Sequence, residues 1–97
     1  MTRPRLGFLG VGWIGRDRMR ALVNGGWADA VAIADPEPDV REAVASELAD
    51  VVAVASLDEL LELELELDGI VIATPSAMHA EQAVAALERG LPVFCQK

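Results

Sequence analysis

Short apolar, β-branched runs alternate along the chain with stretches whose apolar residues recur at helical spacing. RLGFLGVG (5–12) predicts a first strand running into glycines. Gly15, Met19, Leu22 and Val23 then fall at i, i+4, i+7 and i+8, one face of a helix closed by Asn24-Gly25-Gly26. AVAIAD (30–35) predicts a second strand, and Val40, Ala43, Val44 and Leu48 line a second helix. VVAVA (51–55) predicts a third strand. Ser56 and Glu59 stand at capping-box spacing before Leu60-Leu61, where a third helix starts. GIVIATP (69–75) predicts the fourth strand. Ala80, Ala83, Val84 and Leu87 line a fourth helix, with Ser76 as N-cap and Gly90 as stop. LPVFCQ (91–96) predicts the fifth strand. ELELELD (62–68) alternates strictly, which by period suits an exposed strand. Leucine and glutamate are both strong helix formers, however. We take the segment as the frayed end of the third helix plus the connection into the fourth strand.

Near-continuous apolar strands separated by amphipathic helices imply a parallel sheet covered on both faces. Right-handed crossovers then give a doubly wound α/β fold of the Rossmann type, with five strands in the order 3-2-1-4-5.

Composition narrows the classes. Ninety-seven residues make at most one domain, and 53% apolar with 25% charged residues is an ordinary globular balance. No apolar run approaches the roughly 20 residues that a bilayer requires. The start, MTRPRLGFLGVGWIG, puts two arginines before an apolar stretch, but glycines interrupt it and Arg16, Asp17, Arg18 and Arg20 follow, against a secretory signal. A single cysteine, Cys95, excludes an internal disulfide and suits a reducing cytoplasm. Inside an apolar strand it is a small packing residue rather than a redox centre. Net charge is −8, but residues 1–20 hold five arginines and one acid, whereas residues 21–97 hold three bases and fifteen acids. An acidic body disfavours nucleic acid and anionic membrane as partners.

The candidate chemistry gathers at the ends of strands. Gly10-Val11-Gly12-Trp13-Ile14-Gly15 is G-x-G-x-x-G, a pattern of low specificity alone. Here it follows a predicted strand, opens a predicted helix, and Asp35 ends the next strand twenty residues after Gly15. In a dinucleotide site Gly10 permits the tight turn, Gly12 admits the diphosphate to the backbone, and Gly15 lets helix pack on strand. The phosphates would meet unpaired N–H groups and the positive end of a helix dipole. Asp35 can accept hydrogen bonds from both adenosine ribose hydroxyls, each contributing about 1.5–3 kcal/mol. Its charge repels a 2′-phosphate, which favours NAD over NADP, while Arg41 or Arg16 could oppose that preference. The competing readings are a ligand-free glycine turn and a helix-capping aspartate ahead of Pro36. Trp13 and Ile14 border the cofactor in this reading, though Trp13 suits packing as well as covering it. Thr74, Pro75, His79, Gln96 and Lys97 lie at or beside the carboxyl ends of the fourth and fifth strands, where ligands bind in open α/β sheets. By composition alone, His79 is a helix-surface residue and Lys97 a solvated one.

GFLGVGWIG, VAIADPE, SLDELL and IVIATPSAMHAEQAVAALERGLPVFCQK together resemble the N-terminal domain of the Gfo/Idh/MocA oxidoreductases. The likeness runs through essentially all of the chain. Its most specific part is T-P-x-x-x-H, a helix ending A-L-x-x-G, and the close of the fifth strand. The resemblance implies NAD(P)-dependent enzymes that pass hydride to or from a hydroxyl-bearing carbon of a sugar, cyclitol or related polyol. It assigns Lys97 to the substrate hydroxyl and the nicotinamide ribose, and Thr74, Pro75 and His79 to the nicotinamide half of the cofactor. We expect Lys97 to act as a hydrogen-bond clamp, since a lysine, with a pKa near about 10.4, needs burial or a neighbouring cation to serve as base.

Two departures from the family pattern matter. Gln96 stands where the family has glutamate; its oxygen still accepts from a ribose hydroxyl but brings no charge. The family's second domain, which supplies an aspartate and a histidine for proton relay and substrate contact, is absent from these residues. The expectation is therefore an incomplete dinucleotide-binding domain over 1–97, inactive by itself, cytoplasmic, and homo-oligomeric in the intact enzyme. Two other readings stay open: a non-catalytic nucleotide-binding or regulatory module, which Gln96 favours, and a piece that docks onto a second polypeptide through the flank of the fifth strand.

Overall fold

The computed structural model describes residues 3–10, 12–48, 51–63, 65–74 and 76–95, with backbone alone for 13–15, 76, 77 and 95. Strands and helices alternate: β1 (Arg5–Leu9), α1 (Trp13–Asn24), β2 (Asp29–Ala34), α2 (Pro38–Glu47), β3 (Val52–Val54), α3 (Leu57–Glu62), β4 (Gly69–Ile72), α4 (Ser76–Glu88) and β5 (Val93–Cys95). All strand pairs are parallel, in the order β3-β2-β1-β4-β5. That is the expected doubly wound topology. No helix among the described residues is long and apolar enough to cross a membrane.

The alternation of side chains along the strands builds one core on each side of the sheet. Phe8, Ile33 and Val71 point to the side that Met19 of α1 and Val44 of α2 cover. Leu9, Ala32, Ala34, Ile70 and Ile72 point to the other side, against Leu57, Leu60 and Leu61 of α3 and Ala86 of α4. Phe8, Ile33, Ile70 and Ile72 are essentially sealed from water. Each such side chain contributes about 1.5–3 kcal/mol by leaving water. The central strands therefore hold their carboxyl ends rigidly.

Glycines end two of the helices. After α1, Gly26 takes φ +76°, the Gly26 N–H donates to the Val23 carbonyl and the Trp27 N–H to the Leu22 carbonyl. After α4, Gly90 takes φ +77°, with Gly90 N–H on Leu87 and Leu91 N–H on Ala86. Both are Schellman closures, in which a residue without Cβ bears the left-handed conformation. The expected stops at Asn24-Gly25-Gly26 and Gly90 hold.

Element bounds differ from expectation where local chemistry decides. β1 ends at Leu9 and β5 starts at Val93, where the apolar runs suggest strands reaching Gly12 and starting at Leu91; Gln96, the expected end of β5, lies outside the described residues. α3 begins at Leu57, as the capping-box spacing of Ser56 and Glu59 implies: Ser56 Oγ accepts the Glu59 N–H at 3.2 Å and Glu59 Oε2 reaches back to the Ala55 N–H at 2.7 Å. Ser56 is thus the N-cap of a reciprocal capping arrangement. Ser76 is the first helical residue of α4 and not its N-cap. The face of α4 is also rotated: His79, Gln82 and Ala83 are half-buried and Ala86 is buried, while Val84 and Leu87 are 53% and 58% exposed. The ELELELD stretch does end the helix at Glu62 and continue as a connection. Leu65 and Leu67 turn towards the core there, and Arg5 Nε donates to the Glu66 carbonyl at 2.8 Å. Of the alternating leucines, Leu65 and Leu67 are the two that pack against the core in this connection.

Candidate functional site

The carboxyl ends of β1, β2 and β4 adjoin one another, and the glycine turn follows the first of them. The Gly10 N–H donates to the Ala34 carbonyl of β2 at 2.8 Å, and the Ala73 N–H donates to the Leu9 carbonyl of β1 at 2.8 Å. Gly10 takes φ +81°, where an L side chain is strained. A Cβ there would also fall 2.8 Å from Thr74 Cγ2 and 3.0 Å from Thr74 N. Fold geometry alone explains this glycine.

Gly12 is different. It is the N-cap of α1 with φ −69° and ψ −163°, a conformation any residue adopts, and a Cβ there would meet none of the described residues within 4 Å. Gly12 brings no side chain to cap α1, and no acid stands in its first turn. The first N–H groups of a helix have no partner further up the helix, and they carry the positive end of its dipole. An open space over bare backbone at an uncapped helix start fits a diphosphate. The Trp13 and Ile14 side chains and Val11 lie outside what is described, and Gly15 falls within the first turn of α1.

Asp35 follows β2 and is buried. Its Oδ1 accepts the Glu37 N–H at 2.9 Å, and its own N–H donates to the Val54 carbonyl at 3.1 Å. The N-cap position of α2 belongs to Glu37, so the alternative of a helix-capping aspartate does not describe it. Arg41 Nη1 donates to the Asp35 carbonyl at 2.8 Å, which secures the backbone that carries the carboxylate. Arg16 has a buried Nε without a hydrogen-bond partner among the described residues. It lies on the α1 side near Glu47, whose pKa is lowered first by its hydrogen bond from Arg20 and to a smaller extent by the charges of Arg20 and Arg16.

On the other side of the turn, Thr74 is held twice. Its hydroxyl donates to Gln82 Oε1, and its carbonyl accepts from His79 Nε2. A carbonyl only accepts, so this nitrogen carries the proton. Thr74 and His79, which the sequence puts in one motif, are thus one cluster, and Gln82 joins them. The i, i+3 spacing of His79 and Gln82 on one helix face is the signal that could have revealed it. Pro75, Gln96 and Lys97 lie outside the described residues. Among the described residues no group of His, Cys, Asp or Glu could hold a metal ion. A cavity of about 200 Å³ lined by Leu60, Leu61, Leu65, Leu67, Arg89 and Leu91 involves none of these residues.

The sequence profile of Gfo/Idh/MocA, an oxidoreductase family with an NAD-binding Rossmann fold, matches residues 4–97. The chain belongs to that family. It is 34% identical over 97 residues to the rhizopine catabolism protein MocA of Rhizobium meliloti, covering 100% of this chain and 30% of that protein. Among solved structures, the myo-inositol dehydrogenase of Corynebacterium glutamicum superposes with a TM-score of 0.87 at 32% identity, over 99% of this chain and 28% of that one. The WlbA dehydrogenase of Bordetella pertussis, solved with NADH and UDP-GlcNAcA, gives 0.88 at 29% identity, over 99% and 30%. The chain thus spans about a quarter to a third of the length of such relatives. As a Gfo/Idh/MocA chain it is the family's NAD-binding Rossmann domain, and NAD is its cofactor class. The open Gly12 and the buried Asp35 accord with that class.

Proposed function

We propose that residues 1–97 form the dinucleotide-binding domain of an NAD-dependent oxidoreductase acting on a hydroxyl-bearing carbon of a sugar, cyclitol or related polyol. The observation that carries the reading is Gly12: a helix start with no side chain at its N-cap, no acid in its first turn and, among the described residues, no neighbour within 4 Å of an added Cβ. In this reading the first-turn N–H groups of α1, with Gly10, Gly12 and Gly15 beneath them, bind the diphosphate. Asp35 accepts the adenosine ribose hydroxyls and selects NAD over NADP by charge. The same reading assigns Trp13 and Ile14 to contacts with the cofactor. Thr74, Pro75 and His79 shape the nicotinamide end, and Gln96 accepts from that ribose. Lys97 donates to the substrate hydroxyl as a clamp. When bound, the nicotinamide supplies hydride exchange.

Support for the polyol class comes from the family and from relatives named inositol 2-dehydrogenase, 38% identical in the case of Leifsonia xyli. The single cysteine suits a reducing cytoplasm. We place the protein there, as a homo-oligomer with neither nucleic acid nor membrane as partner. A second reading, a non-catalytic nucleotide-binding or regulatory module, rests on glutamine at position 96. Calorimetric titration with NADH and NADPH tests the first reading: NADH binds, and NADPH binds at least tenfold more weakly. Absence of heat with both dinucleotides for folded protein would overturn it. Polyol-dependent reduction of NAD by the polypeptide in which the domain occurs separates the two readings.

A further inference from the structure

We propose that Gln82 is a positioning residue of the dinucleotide site, acting through Thr74 on its nicotinamide end. The proposal rests on the dinucleotide reading above. Thr74 presents its methyl to the glycine turn, since a Cβ on Gly10 would lie 2.8 Å from Thr74 Cγ2. Its hydroxyl faces away, onto Gln82 Oε1 of α4. A β-branched side chain couples the two, because one χ1 angle places both methyl and hydroxyl. With the Gln82 acceptor present, one rotamer satisfies the half-buried hydroxyl and fits against Gly10. Without it, the hydroxyl has no fixed partner, and the rotamer that seats the methyl beside Gly10 loses the bond that selects it.

His79 holds the backbone of the same residue by donating to its carbonyl. Helix α4 therefore grips Thr74 at two points from one face, fixing both main chain and side chain at the end of β4. The strand order puts β4 on the opposite side of β1 from β2 and Asp35. A dinucleotide lying across this edge, with its adenosine ribose on Asp35, directs its other half over β4. Gln82 therefore acts on the nicotinamide side, and a fragment that ends at the diphosphate does not report it.

The test is a thermodynamic cycle on the full chain with NADH and ADP as probes, read by calorimetry. Gln82→Met fills similar volume without an acceptor. It should weaken NADH binding about five- to tenfold, the equivalent of one ordinary hydrogen bond, and leave ADP within twofold. Gln82→Ala, run in parallel, keeps the result independent of how methionine packs. In a Thr74→Val background, which should itself lose a similar factor, Gln82→Met should change NADH affinity less than twofold further. Wild-type NADH affinity in both Gln82 variants, equal loss of NADH and ADP, or full additivity with Thr74→Val would each overturn the proposal. A wild-type chain that is folded yet binds neither probe would instead remove the dinucleotide reading, and this proposal with it.

Discussion

Alanine at Gly10 and alanine at Gly12 should fail in opposite ways. At Gly10 the new Cβ meets Thr74 Cγ2 at 2.8 Å and Thr74 N at 3.0 Å, on a backbone at φ +81°. A left-handed non-glycine residue costs roughly 1–2 kcal/mol, and overlap in a packed region roughly 1–3 more. The sum, about 2–5 kcal/mol, should lower the melting temperature by at least about 8 °C in a domain of this size. At Gly12 the backbone suits alanine and the Cβ meets none of the described residues within 4 Å. Reduced freedom of the unfolded chain favours alanine by about 0.4–1 kcal/mol. The poorer N-cap opposes this by a comparable amount, so stability should barely move. The methyl does, however, occupy the approach to the bare helix start. Loss of one charge-assisted hydrogen bond costs about 1.5–3 kcal/mol, or roughly 10- to 150-fold in Kd for NADH. Thermal unfolding by circular dichroism and NADH titration on the same samples measure both quantities. A Gly12→Ala protein that binds NADH within threefold of the parent, or equal destabilisation by the two variants, would refute the division of roles.

Three further outcomes are expected. Asp35→Asn keeps an Oδ1 acceptor for the Glu37 N–H but removes the charge; the ratio of NADPH to NADH affinity should rise about tenfold, as competitive titration would show. The exposed pair of Arg20 on α1 and Glu47 on α2 lowers the Glu47 pKa and raises that of Arg20, the hydrogen bond between them being the leading cause. A depressed carboxyl pKa contributes stability above its unfolded value and loses it as pH falls through the folded one. The melting temperature of Glu47→Gln should therefore lie slightly below the parent at pH 7 and meet it in strong acid, and salt should narrow the gap. On α4, Leu87→Lys should change stability by less than about 0.5 kcal/mol, whereas Ala86→Leu should cost about 1–3 kcal/mol, measured by chemical denaturation.

The sheet order was legible because its central strands carry little but apolar residues, so the pattern admits only a two-sided core. The glycine turn and Asp35 were legible for a related reason: turn chemistry is local, and the twenty-residue interval fixes which strand carries the acid. Helix α4 was not. Its run of alanines with Val84 and Leu87 offers apolar positions on every side, so period alone cannot choose a face. Packing of Ala86 against the Ile70 and Ile72 face of the sheet chose it, together with Thr74, whose two polar groups draw His79 and Gln82 inward. Gln82 went unnoticed because a polar residue on a helix reads as solvated until its partner is known.

The imidazole at the end of β4 has a chemical corollary. Its Nε2 already bears hydrogen and gives it to the Thr74 carbonyl. The hydrogen is committed to the main chain, so this nitrogen has none to offer a ligand. What the ring contributes there is a fixed wall, one that ties helix α4 to the chain just after β4.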